Sequence, residues 1–428
     1  MNPPIARRTF LKHSTILGAA LAARSASFSA RAAAAPNNRL GVAVMGLGRG
    51  LDHIRALLQI PNVEIGWLCD VDSRRFANAM KLVEAKQARA PKTVADFRRI
   101  LADKEVDALF IATPNYWHAP ATILACAAGK HVYVEKPGSH NPREGEWMVA
   151  AARQNKRLVQ LGTQRRSCPQ VIEAIARLRA GEIGKLLFAR TWYDNGRASI
   201  GLGQPAPLPA GLDWNLWQGP CPERPYQDNL VHYHWHWRWH YGGGELANNG
   251  PHALDLARWG LDVTTPSRVT CNGGRYHFSD DQETPDTINA TWHFGDRGIS
   301  FDGSSCLPRT HEHHAFVSFY GEKGVLALTG GGSYKIFDPN GKEISAVTGK
   351  LADLPHFENF TNAIRQGTPL NAEIEEGQKA TLLCHLGNIA WRTGAVLSPN
   401  PRSGQLAAPA DAAKLWSREY RPGWEPKV

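Results

Sequence analysis

His252 and Lys136 are side chains of this 428-residue sequence whose types can move a proton and steady a charge on a polar substrate. His252 closes Asn248-Asn249-Gly250-Pro251-His252. Its imidazole titrates near neutrality, so it can take a hydroxyl proton as hydride leaves the carbon and return it in reverse. Lys136 follows the apolar run His131-Val132-Tyr133-Val134 and precedes a proline that stiffens the turn. A cation at such a strand end can polarise a hydroxyl under oxidation. That chemistry needs a hydride acceptor, and side chains supply none.

The acceptor's site is legible at LGVAVMGLGRG, residues 40–50. Leu40, Val42, Val44 and Met45 form a buried strand that stops at Gly46-Leu47-Gly48. Leu51, Ile54, Leu57 and Leu58 then recur at helical spacing until Pro61. A strand-turn-helix of this kind aims backbone N–H groups at a pyrophosphate, and Arg49 sits beside it. Gly50 shifts the third glycine of the fingerprint by one position but leaves the phosphate turn intact. A second strand, 63–69, ends in Asp70, at the offset from which an acid reaches the adenosine ribose. That carboxylate would repel a 2′-phosphate, which favours NAD over NADP, although Arg74 and Arg75 lie close by.

Strands and helices alternate onward, as in a right-handed parallel sheet. A helix is expected from Asp72 or Ser73 to about Ala90, and a short one over 94–101. Strands are expected over 107–112, 131–134 and 158–161, with helices over 119–128 and 142–155. Thr113-Pro114-Asn115-Tyr116-Trp117-His118 therefore falls at a strand's carboxyl end, where α/β sheets bind ligands. The nucleotide domain spans 36–161. A second domain, 162–398, shows a helix over 170–178, strands over 186–193, 287–294, 298–304, 315–320 and 325–329, and helices over 356–366 and 375–393. Residues 201–225 are too rich in glycine and proline for a regular element. The tail, 399–428, is expected to wrap the surface or a neighbouring subunit.

Gly46-Leu47-Gly48, Thr113-Pro114-Asn115 with His118, Glu135-Lys136-Pro137, Gly242-Gly243-Gly244, His252 and Asp255, at these separations, resemble the Gfo/Idh/MocA family of oxidoreductases. The resemblance implies an α/β Rossmann domain followed by an α+β domain with a large, open, mainly antiparallel sheet. It also implies dimers or tetramers and substrates among sugars and polyols. It casts Lys136 as a contact to both nicotinamide ribose and substrate, and His252 as the catalytic histidine. Gly46, Gly48, Arg49, Asp70, Thr113, Pro114, Asn115, His118 and Glu135 become cofactor ligands. Many members carry an aspartate four residues before the histidine. This chain has Asn248 there, an amide that cannot take a proton, so its positioning role stays open. Asp255 reads as structural.

The substrate side draws on other stretches. His232-Tyr233-His234-Trp235-His236-Trp237-Arg238-Trp239-His240, taken as a strand, puts the histidines and Arg238 on one side and the aromatics on the other. Sugar faces stack on indole, and imidazole bonds hydroxyls, so a carbohydrate pocket is preferred to a metal site; no metal is assigned. His232, Trp235, Tyr193 and Asn248 are taken as substrate contacts. Gln164 and Arg165 either touch substrate or cofactor, or join the domains by salt bridges.

The net charge is +10, with five cations (Arg7, Arg8, Lys12, Arg24, Arg31) before residue 35 and no acid among them. The rest is spread without basic runs, which argues against nucleic acid. Seven scattered cysteines form neither a metal motif nor a disulfide ladder, and the mature part holds no membrane span. Arg7-Arg8-Thr9-Phe10-Leu11-Lys12, followed by a moderately apolar run and an alanine-rich exit, is similar to a twin-arginine export signal over residues 1–34. The translocation machinery for such signals is then a partner, and the mature chain is periplasmic or extracellular. No free NAD pool exists there, so the cofactor must be loaded first and recycled within the site. Three outcomes fit: oxidation of a sugar or glycoside hydroxyl with return of the hydride; redox-neutral glycoside hydrolysis through a keto-sugar, elimination and water addition; or non-catalytic sugar binding with a structural NAD.

Overall fold

The computed structural model describes residues 39–428 apart from Ala408; the expected export signal lies outside them. The first unit runs β1 (Leu40–Met45), α1 (Gly50–Leu57), β2 (Val63–Cys69), α2 (Phe76–Glu84), β3 (Lys92–Val94), α3 (Arg98–Leu101), β4 (Ala108–Ile111), α4 (Asn115–Ala127), β5 (His131–Val134), α5 (Pro142–Gln154) and β6 (Val159–Leu161). The sheet is parallel, in the order β3-β2-β1-β4-β5-β6. Its strand order reverses between β1 and β4, so their carboxyl ends open on a crevice. Every residue of β1 is buried, which explains its unbroken apolar run.

Local chemistry overrides periodicity at three places here. The helix after Asp72 starts as a 3₁₀ turn, Ser73–Arg75, capped by the Asp72 side chain, and ends at Glu84 rather than near Ala90. Beyond it the Gln87 amide bonds both the N–H and the C=O of Ile65, which draws the chain back to the sheet. Residues expected to open a helix at 94 instead close the edge strand β3 against β2, and α3 begins only at Arg98. Helix α4 starts at Asn115, with Pro114 at its cap, so the Thr-Pro-Asn segment is a helix start rather than a loop.

The second unit comprises α6 (Pro169–Arg179), β7 (Leu186–Asp194), α7 (Trp214–Gln218), α8 (Gly244–Asn248), α9 (Gly250–Leu261), β8 (Arg268–Gly274), β9 (Thr287–Phe294), β10 (Arg297–Ser304), β11 (Val317–Gly321), β12 (Gly324–Leu328), β13 (Tyr334–Phe337), β14 (Glu343–Val347), α10 (Leu354–Gln366), α11 (Ile374–Thr393) and α12 (Ala410–Lys414). Its eight strands run β14-β13-β12-β11-β7-β10-β9-β8, antiparallel except for the β7–β10 pair. Val171, Leu254, Ala257, Leu383 and Leu386 from α6, α9 and α11 bury one face against Ile299, Phe301 and Phe319. Strand β8 carries little signal, because Arg268, Asn272 and Gly273 are exposed; pairing with β9 and a bridge from Val269 to Leu397 define it.

The two units are knitted together by late parts of the chain. Phe357 and Phe360 of α10 pack among Val42, Phe110 and Tyr133 of the first sheet, with the Tyr133 and Phe357 rings edge-on at 4.6 Å. The tail crosses the same unit: Arg418 and Tyr420 donate to buried Glu144, and Trp424 meets Trp117 edge-on at 5.2 Å. Among the described residues, no helix is long and apolar enough to cross a membrane.

Candidate active site

A cleft of about 850 Å³ opens where β1, β4 and β5 end. At one end lies the glycine turn. Gly46 has φ +88°, and a Cβ there would come within 2.5 Å of the Ala112 carbonyl oxygen, so only glycine fits. Asp70 stands beside it, accepting the Leu47 N–H at 2.7 Å and the Asp72 N–H at 2.9 Å. Burial pushes the Asp70 carboxyl above its usual value. Gly48, Arg49, Thr113, Pro114 and Asn115 also line the cleft, and the buried Thr113 Oγ1 has no partner. The wall suits a dinucleotide: a glycine turn that admits an anion, a buried acid beside it and an unmet hydroxyl.

A strap from the second unit crosses this end. His232 Nε2 lies 2.8 Å from Asp72 Oδ2, Ser73 N–H donates to Gly211 O at 2.9 Å, and Asp213 N–H to Val71 O at 2.8 Å. Arg74 also donates to Asp72. Burial opposes ionisation of Asp72 less than the Arg74 and His232 bonds favour it, so its carboxyl is held well below the ordinary range. Residues 232–240 are thus not a strand. His234–Trp237 is a 3₁₀ turn, because His234 and His236 bond the carbonyls of Asn229 and Tyr233 and so satisfy the chain locally. The two-faced pattern expected of a strand is lost. Trp235 stacks on His236 at 3.6 Å, and with Tyr233 and His232 they line the cleft.

Glu135 lies deeper, as a hub more than a free ligand. Its Oε1 accepts from Arg49 Nε (3.2 Å), pairs with His53 Nε2 (3.0 Å) and accepts from Gln164 Nε2 (3.2 Å). Burial opposes its charge, but the His53 bond and the charges of His53, Arg49 and Lys136 outweigh it and hold the carboxyl far below its normal value. Arg49 further donates to Asp353, a cleft residue some 300 positions away with no local sequence signal. His118 lines the cleft with both ring nitrogens engaged, on Pro137 O (2.6 Å) and Thr113 O (2.8 Å). Burial lowers its pKa, so the neutral ring donates to one of these carbonyls at a time and braces the wall there.

Lys136 and His252 meet at the other end. Lys136 Nζ donates to the Asn248 carbonyl oxygen at 2.8 Å and to its Oδ1 at 3.2 Å; burial lowers the Lys136 pKa. His252 occupies the first turn of α9, and its buried Nδ1 has no partner. Burial, then the charges of Arg165 and Lys136, push its pKa well below normal, so the ring is held neutral. Arg165 lines the cleft, bonds Gly330 O at 3.1 Å and stacks over Phe316, so it is not a domain salt bridge. The buried ion pair belongs to its neighbour Arg166, bidentate on Asp255, which confirms Asp255 as structural. Two expected substrate contacts are placed differently. Tyr193 and Asn248 do not line the cleft: Tyr193 leans on the core of the second unit, and Asn248 serves Lys136 from behind.

Sequence reasoning placed Tyr233 and His236 in a sugar-binding stretch without naming them as contacts, and it missed Asn249, Trp217 and Asp353 among the lining residues, and Glu245 behind them. Glu245 is buried at 3% exposure beside Asn249, and burial pushes its carboxyl up to about 7. A lone acid after a glycine triplet, Gly242-Gly243-Gly244-Glu245, was its only signal.

Residues 40–163 match the Gfo/Idh/MocA oxidoreductase family's NAD-binding Rossmann fold, and residues 188–426 match its C-terminal alpha/beta domain. The chain belongs to the Gfo/Idh/MocA family. Among curated relatives of this Gfo/Idh/MocA protein, an inositol 2-dehydrogenase of Salmonella paratyphi B is 30% identical over 159 residues, 36% of this chain and 46% of the relative. A glycosyl hydrolase family 109 protein of Shewanella sp. is 26% identical over 211 residues, 44% and 46% respectively. The chain thus spans about half the length of the curated relatives it matches. Among solved structures, the WlbA dehydrogenase of Bordetella pertussis, in complex with NADH and UDP-GlcNAcA, has a TM-score of 0.65 at 18% identity, covering 85% of this chain and 99% of that one. An aldose-aldose oxidoreductase of Caulobacter crescentus scores 0.64 at 20% identity, covering 84% and 99%. At these identities the likeness is one of fold.

Proposed function

We propose that this Gfo/Idh/MocA protein is an exported, NAD-dependent oxidoreductase that acts on a hydroxyl of a sugar or glycoside and recycles a cofactor it does not release. The observation that carries this reading is that His252 and Lys136 line one end of a cleft whose other end holds the glycine turn and Asp70. Lys136 Nζ, already directed by Asn248, donates to the substrate oxygen and stabilises charge growing there. His252 takes the hydroxyl proton and gives it back on the return step. The Tyr233, Trp235 and His236 rings offer stacking surface to a sugar face. NAD held along Gly46, Gly48 and Asp70 would supply the hydride acceptor. Asp70 supports NAD over NADP.

Retention of the cofactor is supported by the strap, which ties Asp72 and Ser73 to His232 and Gly211 over the ribose side. Export through the twin-arginine machinery rests on residues 7–12, and association into dimers or tetramers on the family's habit. A second reading, redox-neutral glycoside hydrolysis, is favoured by the likeness to glycosyl hydrolase family 109 proteins. It uses the same groups: a ketone beside C2 acidifies the C2 proton, the C1 substituent leaves, and water adds.

The test is to denature the mature protein from the exported fraction and assay released nucleotide. Near one NAD(H) per chain supports a captive cofactor, and none refutes it. Glycosides turned over without a net change in oxidation state select the hydrolytic reading; a stable lactone or ketone selects oxidation.

A further inference from the structure

The amide at position 248 gives Lys136 no acid there, and the nearest charge, that of Glu135, is shared with other cations. Both acceptors of its ammonium, the Asn248 carbonyl and Oδ1, are uncharged, and among the described residues it forms no direct ion pair. The adjacent Glu135 is engaged by Arg49, His53 and Gln164. A half-buried ammonium facing this cleft calls for a counter-charge. Glu245 lies three residues before Asn248 and four before Asn249 on the single turn of α8, so all three share a face. Asn249 Nδ2 donates to Glu245 Oε1, and the cationic charges acting on Glu245 are those of Lys136 and Arg197. Arg197 is turned elsewhere, onto Gln282 and the Trp237 ring at 4.0 Å. Tyr193 and Tyr233 complete the surroundings. The backbone is shaped for this placement: Gly244 has φ +65°, and a Cβ there would strike Thr284 at 2.6 Å.

We propose that Glu245 is a second acid partner of Lys136 beside Glu135, a positioning residue that helps keep the ammonium charged on Asn248 and takes the part an aspartate at 248 would play. This rests on the reading that Lys136 acts on substrate. Burial alone lowers Lys136 and raises Glu245, and each charge favours the other. Glu245 titrates at about 7, so the counter-charge is present above neutrality and lost as pH falls through it. The other charged or titratable groups facing Lys136 are Glu135, Arg49, Arg165, His236 and His252.

The experiment is competitive acetylation of lysines in the full mature holoprotein with acetic anhydride. The Lys136 peptide is followed by mass spectrometry from neutral to alkaline pH, with circular dichroism as the check on folding. Glu245→Gln should lower the Lys136 midpoint by about one pH unit, roughly tenfold in reactivity at fixed pH. Glu245→Asp should keep most of the wild-type value. The double variant Glu245→Gln/Asn248→Asp should restore it, because it puts a carboxylate where the amide oxygen now lies 3.2 Å from Nζ. An unchanged midpoint in Glu245→Gln, or no restoration in the double variant, overturns the proposal. Asn248→Asp alone is a second handle if Glu245→Gln does not fold. With Glu245 already in place its midpoint should rise only slightly, and a rise of a full unit would show that Lys136 had lacked an acid. Labelling needs no substrate, so a negative result here leaves the oxidoreductase reading standing, and failure to find a sugar substrate leaves this result standing.

Discussion

Two buried carboxylates flank Lys136, and they titrate in different ranges. Glu135, at the end of β5, collects Arg49, His53 and Gln164 on one oxygen and stays ionised despite burial. Glu245, at the start of α8, has one amide partner, and burial lifts it to about 7. Depth is similar in the two regions, so the number of donors decides the charge. The first region is architecture that happens to border the cleft. The second is kept poised, which costs stability.

Removing the group the two acids share has the largest effect. Lys136→Met should lower kcat by about 10²–10⁴-fold, as should His252→Ala, while bound nucleotide stays near wild type. Retained turnover would make the contrast between the acids irrelevant to catalysis. Glu135→Gln should destabilise the fold by about 3 kcal/mol in denaturant titration, a value discounted for partly exposed Arg49. Little change would mean that its three partners do not act as a hub. Glu245→Gln should do the reverse. The native state holds the Glu245 proton up to about 7 while the unfolded chain releases it at lower pH, so wild-type stability falls as pH rises through that window. The variant escapes this loss and should be more stable above neutral pH, on the order of 1–3 kcal/mol, with no gain in acid. The smallest effect sharpens the comparison with a third acid. Asp72→Asn weakens the strap through Arg74 and His232 and should speed nucleotide loss about fivefold, the equivalent of about 1 kcal/mol, read by dilution and fluorescence.

Legibility in the sequence followed the range of the forces involved. Strand β1, Gly46, Asp70 and strands β7, β9, β10, β11 and β12 of the second sheet announced themselves because burial on one or both faces imposes a period on neighbouring residues, whereas β8, β13 and β14 did not. Lys136 and His252 could be named because the motifs around them, Glu135-Lys136-Pro137 and Asn248-Asn249-Gly250-Pro251-His252, resemble those of the family. What stayed hidden depends on partners far along the chain. Asp353 reaches Arg49 across some 300 residues, and His232 turned out to be a latch on Asp72 because its stretch folds as a turn. Tyr193 and Asn248 were named as substrate contacts, yet neither is among the residues that line the cleft, and Asn248 instead bonds the lining residue Lys136.

The late crossing of α10 and the tail over the first sheet also bears on timing. Phe110 and Tyr133 lack their cover until Phe357 and Phe360 are made, and Glu144 waits for Arg418 and Tyr420. The nucleotide unit ends near residue 161, yet its last partners lie more than 250 residues downstream. At ribosomal speeds of about 5–20 residues per second, that delay is on the order of ten to fifty seconds. The half that is synthesised first is therefore the half that is finished last, and a chain shortened by its final dozen residues would lose closure at the end opposite to the cut.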